Sequence, residues 1–260
     1  MNKTREQVLM NKLRAADRVD LAEAVKLLQV SESTVRRLFS RLEQEGKVIR
    51  VHGGICLREE KEQEYSFERV VKSRIQEKKA IAVKACERLE DGDIIFCDTG
   101  TTMFCFCREI RRLVEEKGWN IRVYTNSLAN FEALTPEVPV TLLGGEYRPN
   151  RKDFVGYLTE LAVSKVHFTK CFLGTDGCDK KHCLTAMDFD TARMNEAAME
   201  NAEEIIVLCD SEKFDACAQV GYAEFRQVDG IITDSGLDGE KKRLLESFGM
   251  KVTVAEPDLV

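Results

Sequence analysis

From Ile81 onward the chain alternates between short apolar runs and longer helical segments, and this alternation constrains its fold more than any other feature. The runs are "DIIFC", "NIRVYT", "PVTLLG", "TKCFLG", "EIIVLC", "GIITD" and "KVTVA". They are rich in β-branched and aliphatic residues and lack the polar alternation of a strand with one wet face, so both faces need cover. Between most of them lie segments with apolar residues at helical spacing, such as "MFCFCREIRRLVEEKG", "DTARMNEAAMENA" and "EKKRLLESFG". Strands buried on both faces and separated by helices make a largely parallel sheet between helical layers. The predicted class is α/β, with the sheet domain over residues 80–260.

The first 57 residues read differently. Val8, Leu9 and Leu13, then Leu21, Ala24, Val25 and Leu28, recur at helical spacing. A third helix opens at Ser31 as N-cap and stops at Gly46, with Val35, Leu38, Phe39 and Leu42 on one face and Ser33, Arg36, Arg37 and Gln44 on the other. "KVIRVHGGICL" then gives two β-prone runs around His52, Gly53 and Gly54, a hairpin signal. Three helices and a hairpin predict a winged helix-turn-helix over residues 1–57. This end carries 11 Lys+Arg against 7 Asp+Glu, net +4, while the rest carries 28 against 38, net −10. The basic end is therefore the one suited to a polyanion. Residues 58–79 hold 13 charges in 22 positions and read as a solvated, partly helical linker.

The first strand run delivers Asp98 directly into Thr99, Gly100, Thr101 and Thr102. An aspartyl protease uses such a string to activate water, but it places its loops among antiparallel strands and pairs two aspartates. A phosphate loop uses the hydroxyls and the glycine-freed amides, and a strand-to-helix turn at the carboxyl edge of a parallel sheet suits that chemistry. Gly100 lets the backbone approach an anion closely, and the helix beginning near Met103 adds its dipole. Asp98 would repel a phosphate, so it is expected to accept from sugar hydroxyls or to tie down the loop. Asn126 and Ser127, Gly144 and Gly145, and Gly174, Asp176 and Gly177 follow later strands, and by strand order they fall on the same rim.

Ten cysteines include no C-x-x-C pair, and several lie within apolar runs, so reduced thiols are expected. Cys171, Cys178, His182 and Cys183 are the sharpest metal candidate, yet they end in adjacent ligands and lack the paired spacing of structural zinc. Neither a metal nor a cofactor is expected. Cys178, His182 and Cys183 also support a competing reading as a thiol-based redox regulator. No apolar run approaches the ~18 residues of a membrane span, and the first 20 residues are polar and charged, which predicts a cytoplasmic protein without membrane contact.

Taken in order, "VSESTVRRLFSRLEQEGKVIRVHGG", "FERVVKSRIQEKKAIA", "DTGTT", "TNS" at 125–127, "LLGGEYRPNRKDFVG", "CFLGTDG" and "CDSEKF" resemble the DeoR-type bacterial transcriptional regulators. The resemblance runs from about Arg5 to Ala255, with Leu38 where that family commonly has aspartate after the paired arginines. It implies a repressor of carbohydrate-metabolism genes that binds double-stranded operator DNA. Because one small winged domain makes few contacts, a homo-oligomer, dimer or tetramer, is expected on a palindromic or repeated operator. Its C-terminal domain would be built like sugar-phosphate isomerases and deaminases and would respond to a phosphorylated sugar. Ser31, Ser33, Thr34, Arg36, Arg37 and Arg41 are the candidate DNA contacts, as is His52 of the wing, which could equally be a local hydrogen-bonding residue. Lys213 in "DSEKF" is the cation implied for the phosphate, with Arg148 as a second candidate. Related isomerases carry D-G-A-D-E where this chain reads "TDGCDKK", so Lys180 replaces the general base and binding without turnover is expected. The alternative is an isomerase- or deaminase-like enzyme fused to a DNA-binding domain.

Overall fold

In a computed structural model, residues 5–6, 8–10, 12–13, 18–44, 47–51, 53–57, 65–179, 181 and 183–257 are described. The chain divides into two units, Met1–Tyr65 and Ser66–Val260. The first contains β1 (Arg18–Asp20), α1 (Leu21–Leu28), α2 (Glu32–Gln44), β2 (Val48–Val51) and β3 (Gly54–Leu57). Leu9, Leu13, Val19, Ala24, Leu28, Val35, Phe39, Leu42, Val48 and Ile55 form its core. The expected β2–β3 hairpin pairs antiparallel, with Val51 opposite Gly54. A third strand, β1, joins on the far side of β3. It was not expected because three residues carry no periodicity, but Gly54 explains it. A Cβ there would lie 2.4 Å from the Val19 carbonyl oxygen, so only glycine lets the strands close.

The second unit runs α3 (Phe67–Val70), α4 (Ile75–Cys86), β4 (Ile94–Cys97), α5 (Thr101–Lys117), β5 (Arg122–Thr125), α6 (Leu128–Leu134) and β6 (Val140–Leu142). It continues with β7 (Glu146–Arg148), β8 (Asp153–Val155), α7 (Tyr157–Val163), β9 (Phe168–Leu173), β10 (Gly177–Cys178) and β11 (Cys183–Ala186). The last elements are α8 (Phe189–Met199), β12 (Ala202–Leu208), β13 (Val220–Glu224), β14 (Gly230–Asp234), α9 (Gly239–Ser247) and β15 (Lys251–Ala255).

The seven apolar runs become one seven-stranded sheet in the order β15-β14-β12-β9-β4-β5-β6, and every neighbouring pair is parallel. Successive side chains go to opposite cores, as period 2 requires. Ile95, Cys97, Phe172, Ile206 and Ile232 join Ile81, Phe106 and Ile110 on one face. Phe96, Cys171, Leu173, Val207 and Ile231 join Val163, Met194 and Ala198 on the other. Two small antiparallel additions, β7–β8 and β10–β11–β13, extend beyond the sheet.

One boundary differs from expectation. Residues 66–79 belong to the second unit, so only the first part of the charged stretch can link the two. Within it Phe67 packs into the core, and two charges are taken up by the fold: Lys78 is buried, its Nζ donating to the carbonyls of Val70 and Ser73, each at 2.7 Å, and Arg74 pairs with Glu212 and Asp234. Among the described residues no helix is long and apolar enough to cross a membrane.

Candidate functional site

The sheet reverses its strand order between β4 and β9. From β4 the chain steps outward through β5 and β6, then returns to β9 and steps the other way through β12, β14 and β15. Ligand crevices of open α/β sheets lie at such a switch point, outside the carboxyl ends of the strands. Asp98 to Thr102 follow β4 at this point, and Gly174 to Asp176 follow β9.

Asp98 is 3% exposed and accepts the Gly174 N–H on Oδ2 at 3.1 Å, which joins the two strand ends across the switch point. Its Oδ1 has no hydrogen-bond partner among the described residues. Burial pushes this carboxyl up to about 7, opposed by the backbone N–H donors of Thr99 and Gly174 and by Arg151, and reinforced by Asp153. Thr99 is buried with its hydroxyl unpartnered. Gly100 caps α5 with φ +109° and ψ 167°, a conformation that L side chains rarely adopt, and nothing lies within 4 Å of where its Cβ would be. The first turn of α5 therefore opens freely at its N-terminus. Thr101 is buried and Thr102 half-buried in that turn.

Beyond β5, Asn126 donates Nδ2 to the Phe154 carbonyl at 2.9 Å and leaves Oδ1 unpartnered. Ser127 is fully buried and accepts the Asn130 N–H at 3.2 Å as the cap of α6, so its hydroxyl is committed to the helix. Asn130 escaped the sequence reading. Its Nδ2 holds the Asp98 carbonyl oxygen at 2.8 Å, fixing the loop from behind. The carbonyl of Gly144 accepts the Thr159 hydroxyl at 3.1 Å. A Cβ on Gly145 would lie 2.1 Å from that hydroxyl oxygen, so close packing requires this glycine.

Arg148 is likewise committed within the protein. Nε and Nη2 hold both oxygens of buried Asp153 at 2.8 and 2.7 Å, and Nη1 reaches Asp188 at 2.9 Å. It clamps the β7–β8 hairpin to the start of α8. Arg151, which the sequence reading also missed, stands nearer the rim, with Nη2 3.6 Å from Asp176 Oδ2 and its charge felt by Asp98. Asp176 Oδ2 also accepts the Met187 N–H at 3.1 Å.

Lys213 lies in a 3-10 turn, Ser211–Asp215, that follows β12 and is capped by Asp210. It is half-buried, and its ammonium has no hydrogen bond or ion pair among the described residues, which sets it apart from Arg148. Gly177 lets β10 pack on this turn: a Cβ there would meet the Ala216 carbonyl oxygen at 2.4 Å. The rim thus collects unpartnered acceptors, an open helix N-terminus and a cation with no partner among the described residues.

In the first unit, α2 buries Val35, Phe39 and Leu42 and exposes Ser33, Arg36 and Arg37. Ser31 Oγ accepts the Thr34 N–H at 3.4 Å and lies 3.0 and 2.9 Å from the hydroxyls of Ser33 and Thr34, forming a hydroxyl cluster at the helix start. Arg36 Nη2 pairs with Glu32 at 2.6 Å, while Arg37 has no ion pair among the described residues. Arg41 is tied to Glu6 at 2.8 Å and so serves the unit's own packing as folded here. His52, Lys180 and His182 lie outside the described residues, and no group of three or more His, Cys, Asp or Glu among the described residues is placed to hold a metal.

Comparison with known proteins matches two families: the DeoR-like helix-turn-helix domain over residues 5–61 and the DeoR C terminal sensor domain over residues 73–235. The lactose phosphotransferase system repressor of Lactococcus lactis is 32% identical over 262 residues, covering 99% of this chain and 100% of that protein. The HTH-type transcriptional regulator GlpR of Haloferax volcanii is 31% identical over 225 residues, covering 86% and 87%. Among solved structures, ribose 5-phosphate isomerase A of Methanocaldococcus jannaschii covers 53% of each chain at 19% identity, with a TM-score of 0.40.

Proposed function

Because the chain belongs to the DeoR family, we propose that it is a transcriptional regulator of carbohydrate-metabolism genes, a repressor that reads operator DNA with α2 and answers to a phosphorylated sugar held at the sensor rim. The observation that carries this reading is the set of unpartnered buried acceptors, Asp98 Oδ1, Thr99 Oγ1 and Asn126 Oδ1, beside the glycine-opened N-terminus of α5. Buried polar atoms without partners are costly and in a native fold call for an occupant. The helix N-terminus and Lys213 suit a phosphate, and the carboxylate and amide oxygens suit sugar hydroxyls. The same rim is proposed to bind without turnover, because Lys180 replaces the carboxylate that an isomerase needs as base. The active species is proposed to be a homo-oligomer on a palindromic or repeated operator, since one small winged domain makes few base contacts.

A thermal-shift screen of phosphorylated sugars tests the sensor. A ligand at 100 times its Kd stabilises by about 2.7 kcal/mol. Thr101→Val and Lys213→Ala should each abolish that shift while leaving ligand-free operator binding near wild type. The lysine change should depend more on salt, since it removes a charge. If the unphosphorylated sugar shifts the protein equally, or Lys213→Ala responds normally, the phosphate reading fails.

A further inference from the structure

The segment that leads out of the first unit crosses the sensor rim before it enters α4. Phe67 donates its N–H to the Asn150 carbonyl at 3.0 Å, and its ring meets Phe104, in the first turn of α5, edge-on at 5.5 Å. Glu68 pairs with Lys152 at 2.8 Å. At the other end Arg74 adopts the left-handed conformation, φ 50° and ψ 42°, unusual for a residue with a side chain. Its guanidinium reaches Glu212 at 2.6 Å, Asp234 at 3.0 Å and Asp210 at 3.7 Å. These carboxylates frame the turn that carries Lys213. Asp210 accepts the Glu212 N–H at 3.2 Å, and Asp234 holds the Ser211 N–H and hydroxyl at 2.8 and 2.9 Å. Lys78, 3% exposed, grips the carbonyls of Val70 and Ser73 from below. The segment therefore touches three parts of the rim: the β7–β8 hairpin, the phosphate-loop helix and the Lys213 turn.

We propose that residues 66–74 are a strap whose seating depends on occupancy of the anion site, with Arg74 as the positioning residue that ties the strap to the Lys213 turn. This rests on the phosphate reading of the rim. The electrostatics supply the coupling. Arg74, Lys78 and Lys213 are neighbouring cations, and Glu212, adjacent in sequence to Lys213, is paired with Arg74. An anion arriving at Lys213 repels the neighbouring Glu212 carboxylate and competes with it for Arg74, which loosens the contact that holds Arg74 in its left-handed conformation. Lys78 makes Val70 to Ser73 move as a piece, because releasing them would strand a buried ammonium. Ser66 follows directly on Tyr65, where the first unit ends, so a shift in the strap is passed to that unit through the chain. By reciprocity, whatever the anion does to the strap, the strap does to anion affinity by the same factor.

Amide hydrogen exchange on the full chain, with and without saturating inorganic phosphate, tests the coupling. In wild type, phosphate should slow exchange at residues 98–104 and change it at 66–74 by about 5-fold or more, the ordinary lower size of a coupling between sites. Arg74→Gln should keep the response at 98–104 and lose it at 66–74, and Arg74→Lys should restore part of it. Glu212→Gln, an exposed change that buries no charge, should give the same partial loss and guards against misfolding of the Arg74 variants. A response at 98–104 with none at 66–74 in wild type overturns the strap and leaves the anion site standing. No response at either place, with inorganic phosphate and across a sugar-phosphate panel, overturns both.

Discussion

Asp98 shows how one buried group sets a measurable pH dependence. In the unfolded chain its carboxyl titrates near 3.9, and in the fold burial lifts it to about 7. Between those values the folded state keeps a proton that the unfolded state has released, so this group's contribution to stability falls as pH rises through the window and levels off above it. Asp98→Asn, which stays neutral, should therefore gain on wild type by on the order of a few kcal/mol between pH 5 and pH 8. Urea unfolding at both pH values measures it; an equal difference at each would mean that Asp98 titrates normally. Gly100 offers a test free of packing. Its own chain neighbours aside, no atom of the described residues lies within 4 Å of its added Cβ, so Gly100→Ala should cost about 1–3 kcal/mol through the backbone alone. It should also close the loop to phosphate, which the thermal shift reports. A variant as stable as wild type would show that φ +109° is not required.

At the level of elements, α2 has its outward face partly self-paired, because Arg36 is held by Glu32 one turn earlier. Exposed pairs of this kind contribute only about 0.2–1 kcal/mol. Glu32→Gln should thus tighten operator binding by no more than that, by freeing Arg36 and removing a negative charge from the face proposed to meet DNA. Arg37→Ala should cost roughly 1–3 kcal/mol if Arg37 reads a base. Fluorescence anisotropy on a site selected from random DNA measures both, and no loss with Arg37→Ala would mean that α2 is not the reading helix. The same contrast shows what the sequence made legible. All seven sheet strands were readable because burial on both faces leaves continuous apolar runs. β7, β8, β10 and β11 were not, because two- to four-residue strands outside the layers carry no such pattern. The strap was read as linker because its charges look solvated, yet Arg74 and Lys78 spend theirs on partners far away in sequence or on backbone. Within the rim, "DTGTT" was legible through its local strand-to-helix setting. Asn130 and Arg151 were not, since only tertiary proximity brings them to Asp98, and the committed roles of Ser127 and Arg148 depend on partners that no local motif names.

For the whole molecule, the distribution of apolar surface bears on assembly. Tyr157 is 70% exposed, Leu158 66% and Phe189 72%, well above any other large apolar residue among those described. Tyr157 and Leu158 open α7 and Phe189 opens the neighbouring α8, with the Glu160–Arg193 ion pair, 2.6 Å, joining the two helices beside them. An aromatic side chain carries about 150–250 Å², so these three residues and half-exposed Leu161 leave roughly 400 Å² of apolar surface in water. That is the size of the largest apolar patch on an ordinary monomer, and such a patch is often functional. A second copy docked about a two-fold axis would count the patch twice and, with a polar rim, approach the roughly 1,200–2,000 Å² of a stable interface. The Glu160–Arg193 pair supplies such a rim with both signs of charge, so it can meet its own copy without repulsion. Tyr157→Asp and Leu158→Asp should each lower the oligomeric state found by light scattering, because a two-fold axis through this patch would place two uncompensated carboxylates in one interface. Operator affinity should fall with it, while the phosphate thermal shift, which belongs to a single chain, should persist. If both variants keep the wild-type mass, or if wild type is monomeric at every concentration tried, the oligomer does not form through this face.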